Sequence, residues 1–162
     1  MPKTEVELQH FLTKIGCSFE TQAVIEHCPF LKRGKHKVDF RVTSTRGEEL
    51  YVEVKGYLSF YSANVLEYLL RHSGKAFYVF QATDEDWMGV AKQGQSVEEK
   101  IDQNKRQQEN EIGQFIRGDL SARVMVERSL QRLKDYKKLR AGEVERWHKM
   151  AMNTNQRKEV SK

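Results

Sequence analysis

Apolar positions along the first part of the chain recur with two different periods, and the switch between them marks out the elements. Leu8, Phe11, Leu12 and Ile15 are spaced three and four apart, which predicts a helix over 4–15 with one apolar face. Thr4, with Glu7 three residues on, has the form of a capping box, and Gly16 suits a helix end. Residues 18–26 follow as a strand of weaker alternation. Between 36 and 43 the period drops to two. Val38, Phe40 and Val42 alternate with Lys37, Asp39 and Arg41. Thr45-Arg46-Gly47 supplies a turn, and residues 49–55 return with Leu50, Val52 and Val54 inward and Tyr51, Glu53 and Lys55 on the polar face. A turn centred on Arg46 sets Asp39 opposite Glu53.

Residues 60–72 return to the helical period through Val65, Leu66, Leu69 and Leu70, and Ser73-Gly74 ends them. Residues 75–81 form a short aromatic strand. A helix between two strands implies parallel pairing of the second, so the order helix–strand–strand–strand–helix–strand predicts a mixed α/β layer fold. After Trp87 the pattern thins. Residues 88–95 carry two glycines and are expected as a linker. Ser96 opens a polar helix toward Ile116, Gly118-Asp119 breaks it, and a further helix is expected over about 120–140. A last short helix would hold Val144, Trp147 and Met150, with the final ten residues frayed. The domain plan is therefore a core over 1–87, a linker over 88–95 and a basic helical extension over 96–162.

Composition narrows the class. The chain has 162 residues, with 38% apolar and 31% charged, enough for one domain and an appendage. No run of about 18 apolar residues suggests a membrane span. The first residues lack the layout of a signal peptide, so a cytoplasmic protein is expected. Cys17 and Cys28 are expected as reduced thiols. The net charge of +5 is uneven: residues 1–85 hold 11 basic and 11 acidic side chains, and 86–162 hold 17 and 12. A basic tail on a neutral domain fits a nucleic-acid partner as well as a solvated helical surface.

The candidate chemistry lies in the hairpin. Glu53 and Lys55 are two apart and share a side of their strand, with Asp39 facing them. Two carboxylates and an amine on one face suit a divalent metal and an attacking water against a phosphodiester. Asp39 and Glu53 would ligate Mg²⁺ (Mn²⁺ as substitute), with the Val54 carbonyl between Glu53 and Lys55 assisting. Lys55 would hold the water or contact the phosphate. The plainer alternative is a surface salt bridge on an ordinary hairpin.

Asp39 followed by Glu53-Val54-Lys55-Gly56 resembles the signature of the PD-(D/E)xK nuclease superfamily. Val38 stands where that signature has proline. Gly16-Cys17-Ser18-Phe19-Glu20 and Val38-Asp39-Phe40 are similar to the matching passages of phage-type junction-resolving endonucleases, and the resemblance covers about residues 4–81. It implies a restriction-endonuclease-like α-β-β-β-α-β core with a mixed sheet and a C-terminal helical extension. It also implies Asp39 and Glu53 as metal ligands, Lys55 as the catalytic lysine and a first-helix glutamate at the metal. Helix length favours Glu5 for that place; Glu7 competes for it and is otherwise a cap partner.

Lys32, Arg33, Lys35, His36 and Lys37 cluster before the aspartate strand and suit phosphate contacts or a solvated loop equally. Arg132, Lys137 and Lys138 are basic candidates in the extension. Tyr57, Phe60 and Tyr61 are expected first as packing, with base stacking as the alternative. Trp87 and Trp147 are expected as packing anchors. The resulting expectation is a Mg²⁺-dependent DNA endonuclease, structure-selective and homodimeric if it resolves junctions, acting in host cytoplasm if phage-encoded. A transposon end-cleaving subunit, an RNA-directed nuclease and a silent nucleic-acid-binding protein on the same fold are the alternatives.

Overall fold

The computed structural model describes residues 3–26, 35–81 and 96–160. Helix α1 spans Lys3–Lys14 and buries Leu8 and Leu12. It ends as the sequence predicts: Gly16 takes φ 71°, and the Cys17 N–H donates back to the Leu12 carbonyl at 3.1 Å. Thr4 falls inside the helix rather than at its cap, because the helix already begins at Lys3.

Strands β1 (Phe19–Ile25), β2 (His36–Thr43), β3 (Glu49–Lys55) and β4 (Phe77–Gln81) form one sheet in the order β1-β2-β3-β4. β1 and β2 pair antiparallel, as do β2 and β3. Helix α2 (Phe60–His72) then crosses over so that β4 lies parallel to β3. Thr43 faces Glu49, so the hairpin turn is centred on Arg46, as expected. Gly47 accepts φ 81° in that turn. The Ser44 hydroxyl accepts the N–H groups of Arg46 and Glu48 there, both at 3.2 Å.

Both faces of the sheet are covered. One cluster joins Phe40, Val42, Leu50, Val52, Val54, Tyr78 and Phe80 to Leu8 and Leu12 of α1 and to Ile112, Phe115 and Ile116 of helix α3 (Val97–Ile116). The other joins Tyr51, Phe77 and Val79 to Leu66, Leu69 and Leu70 of α2 and to Leu133 and Tyr136 of helix α4 (Ala122–Val160). The helices after Ser96 thus complete the same two cores as the strands, and the stretch expected as a linker lies outside the described residues. A polar outer face on β3 is corrected accordingly. Tyr51 is 5% exposed and Glu53 7%, because α2 and α4 lie over that side.

Two further expectations change. Val38 packs with the Tyr51 cluster, whereas Phe40 and Val42 pack with the opposite one. Simple alternation therefore fails between Val38 and Phe40, at Asp39. Ala122–Val160 is also one helix of 39 residues instead of two. Gly142 lowers helix propensity by only about 1 kcal/mol, and no proline intervenes to stop propagation. Among the described residues, no helix is long and apolar enough to cross a membrane.

The open edge of β4 is closed by side chains. The Val79 N–H donates to Ser129 Oγ of α4 at 3.1 Å. Gln108 of α3 pairs with Gln81 as another strand would, accepting its N–H at 2.8 Å and donating to its carbonyl at 2.5 Å. Both partners are buried, so the edge cannot recruit a foreign strand.

Candidate active site

Asp39 marks the fork between β2 and β3. The β2–β3 ladder runs from Thr43↔Glu49 to Phe40↔Val52. Beyond it, the Asp39 carboxylate takes the place of a backbone carbonyl and accepts the Val54 N–H at 2.8 Å. On the other side of β2 the register brings Gln22 opposite Asp39, between Thr21↔Phe40 and Ala23↔Val38. Gln22 is the one non-glycine with positive φ among the described residues, at 55°. Such a conformation costs about 1–2 kcal/mol and coincides with the change of face on β2. Local strain of this kind is concentrated at functional sites.

Three carboxyl groups converge on the fork. Glu5, in the first turn of α1, feels the charges of Asp39 and Glu53. Its pKa is raised by burial first, then by Asp39 and Glu53. Glu53 is also raised: burial dominates and Asp39 adds to it, against the hydrogen bond from His36 and the charge of Lys55. His36 Nε2 lies 3.1 Å from Glu53 Oε2, and its ring tilts against Phe77 at a centroid distance of 6.3 Å. Glu7 is turned away. It binds Lys105 of α3 at 2.9 Å, which leaves Glu5 as the first-helix glutamate at the cluster.

The donor set fits a hard divalent cation. The mutual repulsion that helps raise Glu5 and Glu53 marks a negative site whose ionised state a cation would favour. They do not yet form a cage: among the described residues, no three His, Cys, Asp or Glu side chains stand together as metal ligands. Asp39 Oδ2 is engaged by Val54, and Glu53 Oε2 by His36. Val54, expected to offer its carbonyl, enters the site through its N–H instead.

Lys55 is half-buried at the end of β3. It lines a cleft of about 320 Å³ with His36, Tyr61, Ser62, Val65 and Leu66. The first turn of α2 forms one wall and is held by a capping box: Ser59 Oγ accepts the Ser62 N–H, and Ser62 Oγ accepts the Ser59 N–H.

The basic candidates divide. Lys32 and Arg33 lie outside the described residues, and Lys35 and Lys37 are exposed. His36, expected at a phosphate, holds Glu53. Arg132, also expected at a phosphate, is partly buried and turned to the core. Its guanidinium donates to the Tyr78 hydroxyl at 2.8 Å and to Glu111 at 2.6 Å, and burial raises the Tyr78 phenol pKa. Lys137 is tied to Glu67 of α2, which leaves Lys138 exposed. Tyr57, Phe60 and Tyr61, expected as packing, are 69%, 42% and 76% exposed, and Trp147 is 69% exposed. His36 as the partner of Glu53 was missed: unbroken alternation puts it on the side away from Glu53, and the change of face at Asp39 brings it round.

No family model matches the chain, and the searches of curated proteins and of solved structures likewise give no match.

Proposed function

We propose that this protein is a metal-dependent endonuclease of the PD-(D/E)xK kind, with a restriction-endonuclease-like core, that hydrolyses DNA phosphodiester bonds and selects its substrate by structure. The observation that carries the reading is the meeting of Glu5, Asp39 and Glu53 at the β2–β3 fork, with Lys55 at its edge. These groups come from α1, β2 and β3 and interact near the point where the β2–β3 ladder ends, an arrangement that supports a hydrolytic site.

Asp39 and Glu53 would hold Mg²⁺, with Glu5 beside them. The ion would supply charge neutralisation at the phosphate and a more acidic bound water. Lys55 orients the attacking water or the phosphate oxygen. His36 sets the rotamer of Glu53, and the Val54 N–H sets that of Asp39. A homodimer would place two such sites on a four-way junction for paired cuts.

The test compares duplex, single-stranded, flap and four-way-junction DNA, with RNA alongside, in Mg²⁺ and in Mn²⁺. Cleavage should favour a branched DNA. Asp39→Asn and Glu53→Gln should each lower the rate at least about 100-fold, the loss of a few kcal/mol of transition-state stabilisation. Mg²⁺ should also raise the melting temperature of the wild type and not of Asp39→Asn. Undiminished cutting by either variant removes the assignment.

A further inference from the structure

The cleft beside Lys55 shares Lys55 and His36 with the hydrolytic reading, which leaves Tyr61, Ser62, Val65 and Leu66 without a role. Its floor is aliphatic: Leu66 is buried and Val65 packs against the core. Its mouth carries Tyr61, with its ring largely in water. Its polar groups are few: Lys55, His36 and Ser62. An apolar slot with one aromatic wall and a few polar ends suits a flat heterocycle. Tyr57 and Phe60 flank Tyr61 in the same stretch and are also exposed. Phe60 rests in part on Tyr136, with ring centroids 6.2 Å apart, so Tyr57 and Tyr61 are the more open rings.

Position names the occupant. His36 lines the cleft and also bonds Glu53; Lys55 lines it and acts electrostatically on Glu53. A ligand in the cleft is therefore one side chain from the acidic cluster. A phosphodiester at that cluster carries a base on the adjoining sugar, on the side where His36 and Lys55 lead into the cleft. In continuous duplex that base is paired and stacked and cannot enter.

We propose that the cleft receives a single unpaired nucleobase next to the phosphate at the acidic cluster, stacked on Tyr61 above Val65 and Leu66. The proposal rests on the nuclease reading for what lies at the cluster. It specifies the substrate: DNA with an unstacked nucleotide at the cut, as at a branch point, bulge or flap. Stacking needs a π-face and no particular base, so selection is by structure rather than sequence.

The experiment uses the full chain in Ca²⁺ with two DNA probes of one sequence, fully paired or with one unpaired 2-aminopurine. Anisotropy reads affinity, and 2-aminopurine emission reads stacking. The unpaired probe should bind more tightly and lose emission on binding. Tyr61→Ala should weaken its binding about tenfold, more than it weakens the paired probe, and restore emission. Tyr61→Phe, which keeps the ring, should behave as wild type. Tyr68→Ala, on α2 outside the cleft, should do the same. Equal affinity for the two probes, or an equal loss on both in Tyr61→Ala, overturns the proposal. Quenched binding without cleavage in Mg²⁺ supports the cleft and overturns the hydrolytic reading. Cleavage in Mg²⁺ with unchanged 2-aminopurine emission does the reverse.

Discussion

At the scale of single residues, the acidic cluster opposes stability while it prepares chemistry. Glu5 and Glu53 both have raised folded-state pKa values, so at these two groups folding favours the bound proton. That contribution is fully present below the unfolded pKa and is lost as pH rises through the folded one. Glu5→Gln should therefore stabilise the metal-free protein at neutral pH, because its amide can donate to Asp39 where a carboxylate repels it. Glu5 is partly solvated and the repulsion screened, so the gain should be about 1–2 °C in melting temperature. It should vanish below about pH 4, where the wild-type carboxyl is protonated. Melting in EDTA at the two pH values checks this; destabilisation at neutral pH would mean that Glu5 is held by something other than Asp39. The turn centre at Arg46 and the register as far as Phe40↔Val52 were legible because antiparallel pairing fixes neighbours once the turn is known. The crossing of His36 to Glu53 was not. It depends on the local irregularity at Gln22 and Asp39, and alternation assumes an unbroken pleat.

At the scale of elements, the hairpin turn and the α3–α4 corner hold each other. The Thr45 N–H donates to the Ile116 carbonyl at 2.8 Å, and Glu48 accepts the Ala122 N–H at 2.7 Å, capping α4. Gly118 turns this corner with φ 86°, and a Cβ there would meet Arg46 and Thr45 side-chain atoms at 3.2 Å. Gly118→Ala should lower stability by about 1–2 kcal/mol. Gly142→Ala, inside α4 with open space around its Cβ position, should raise it by up to about 1 kcal/mol. Urea unfolding of the pair checks both signs, and a neutral Gly118→Ala would mean that the corner can relax. The break at Gly118-Asp119 was legible from the glycine alone. The burial of Tyr51 was not, because strand periodicity says which residues share a face and not what covers it. The cover comes from Leu133 and Tyr136, some eighty residues on in the chain. Gln108 and Ser129 were invisible for a similar reason: a polar residue on a polar helix gives no sign that it will close a sheet edge.

At the scale of the molecule, α4 links the core to the basic half of the sequence. Its 39 residues would extend about 58 Å at 1.5 Å each. Tyr136 is its last residue in either core cluster, and its hydroxyl donates to the Leu58 carbonyl. Beyond it Leu139, Trp147, Met150 and Met152 are exposed, on a segment with more basic than acidic side chains. Lys137 and Lys138 stand at the junction with opposite surroundings. Lys137 is bound to Glu67, whose carboxyl it lowers in pKa; Lys138 is exposed. If the tail lies along a phosphate backbone, each lysine on a phosphate adds about 0.9 to the slope of log affinity against log salt. Lys138→Gln should then weaken DNA binding and flatten that slope by about one contact. Lys137→Gln should leave the slope intact and lower the melting temperature slightly, as losing a partly exposed ion pair does. Titrating both variants across a salt series separates an electrostatic role from a structural one. A slope unchanged by Lys138→Gln would turn this helix from DNA toward contact with a second copy of the chain.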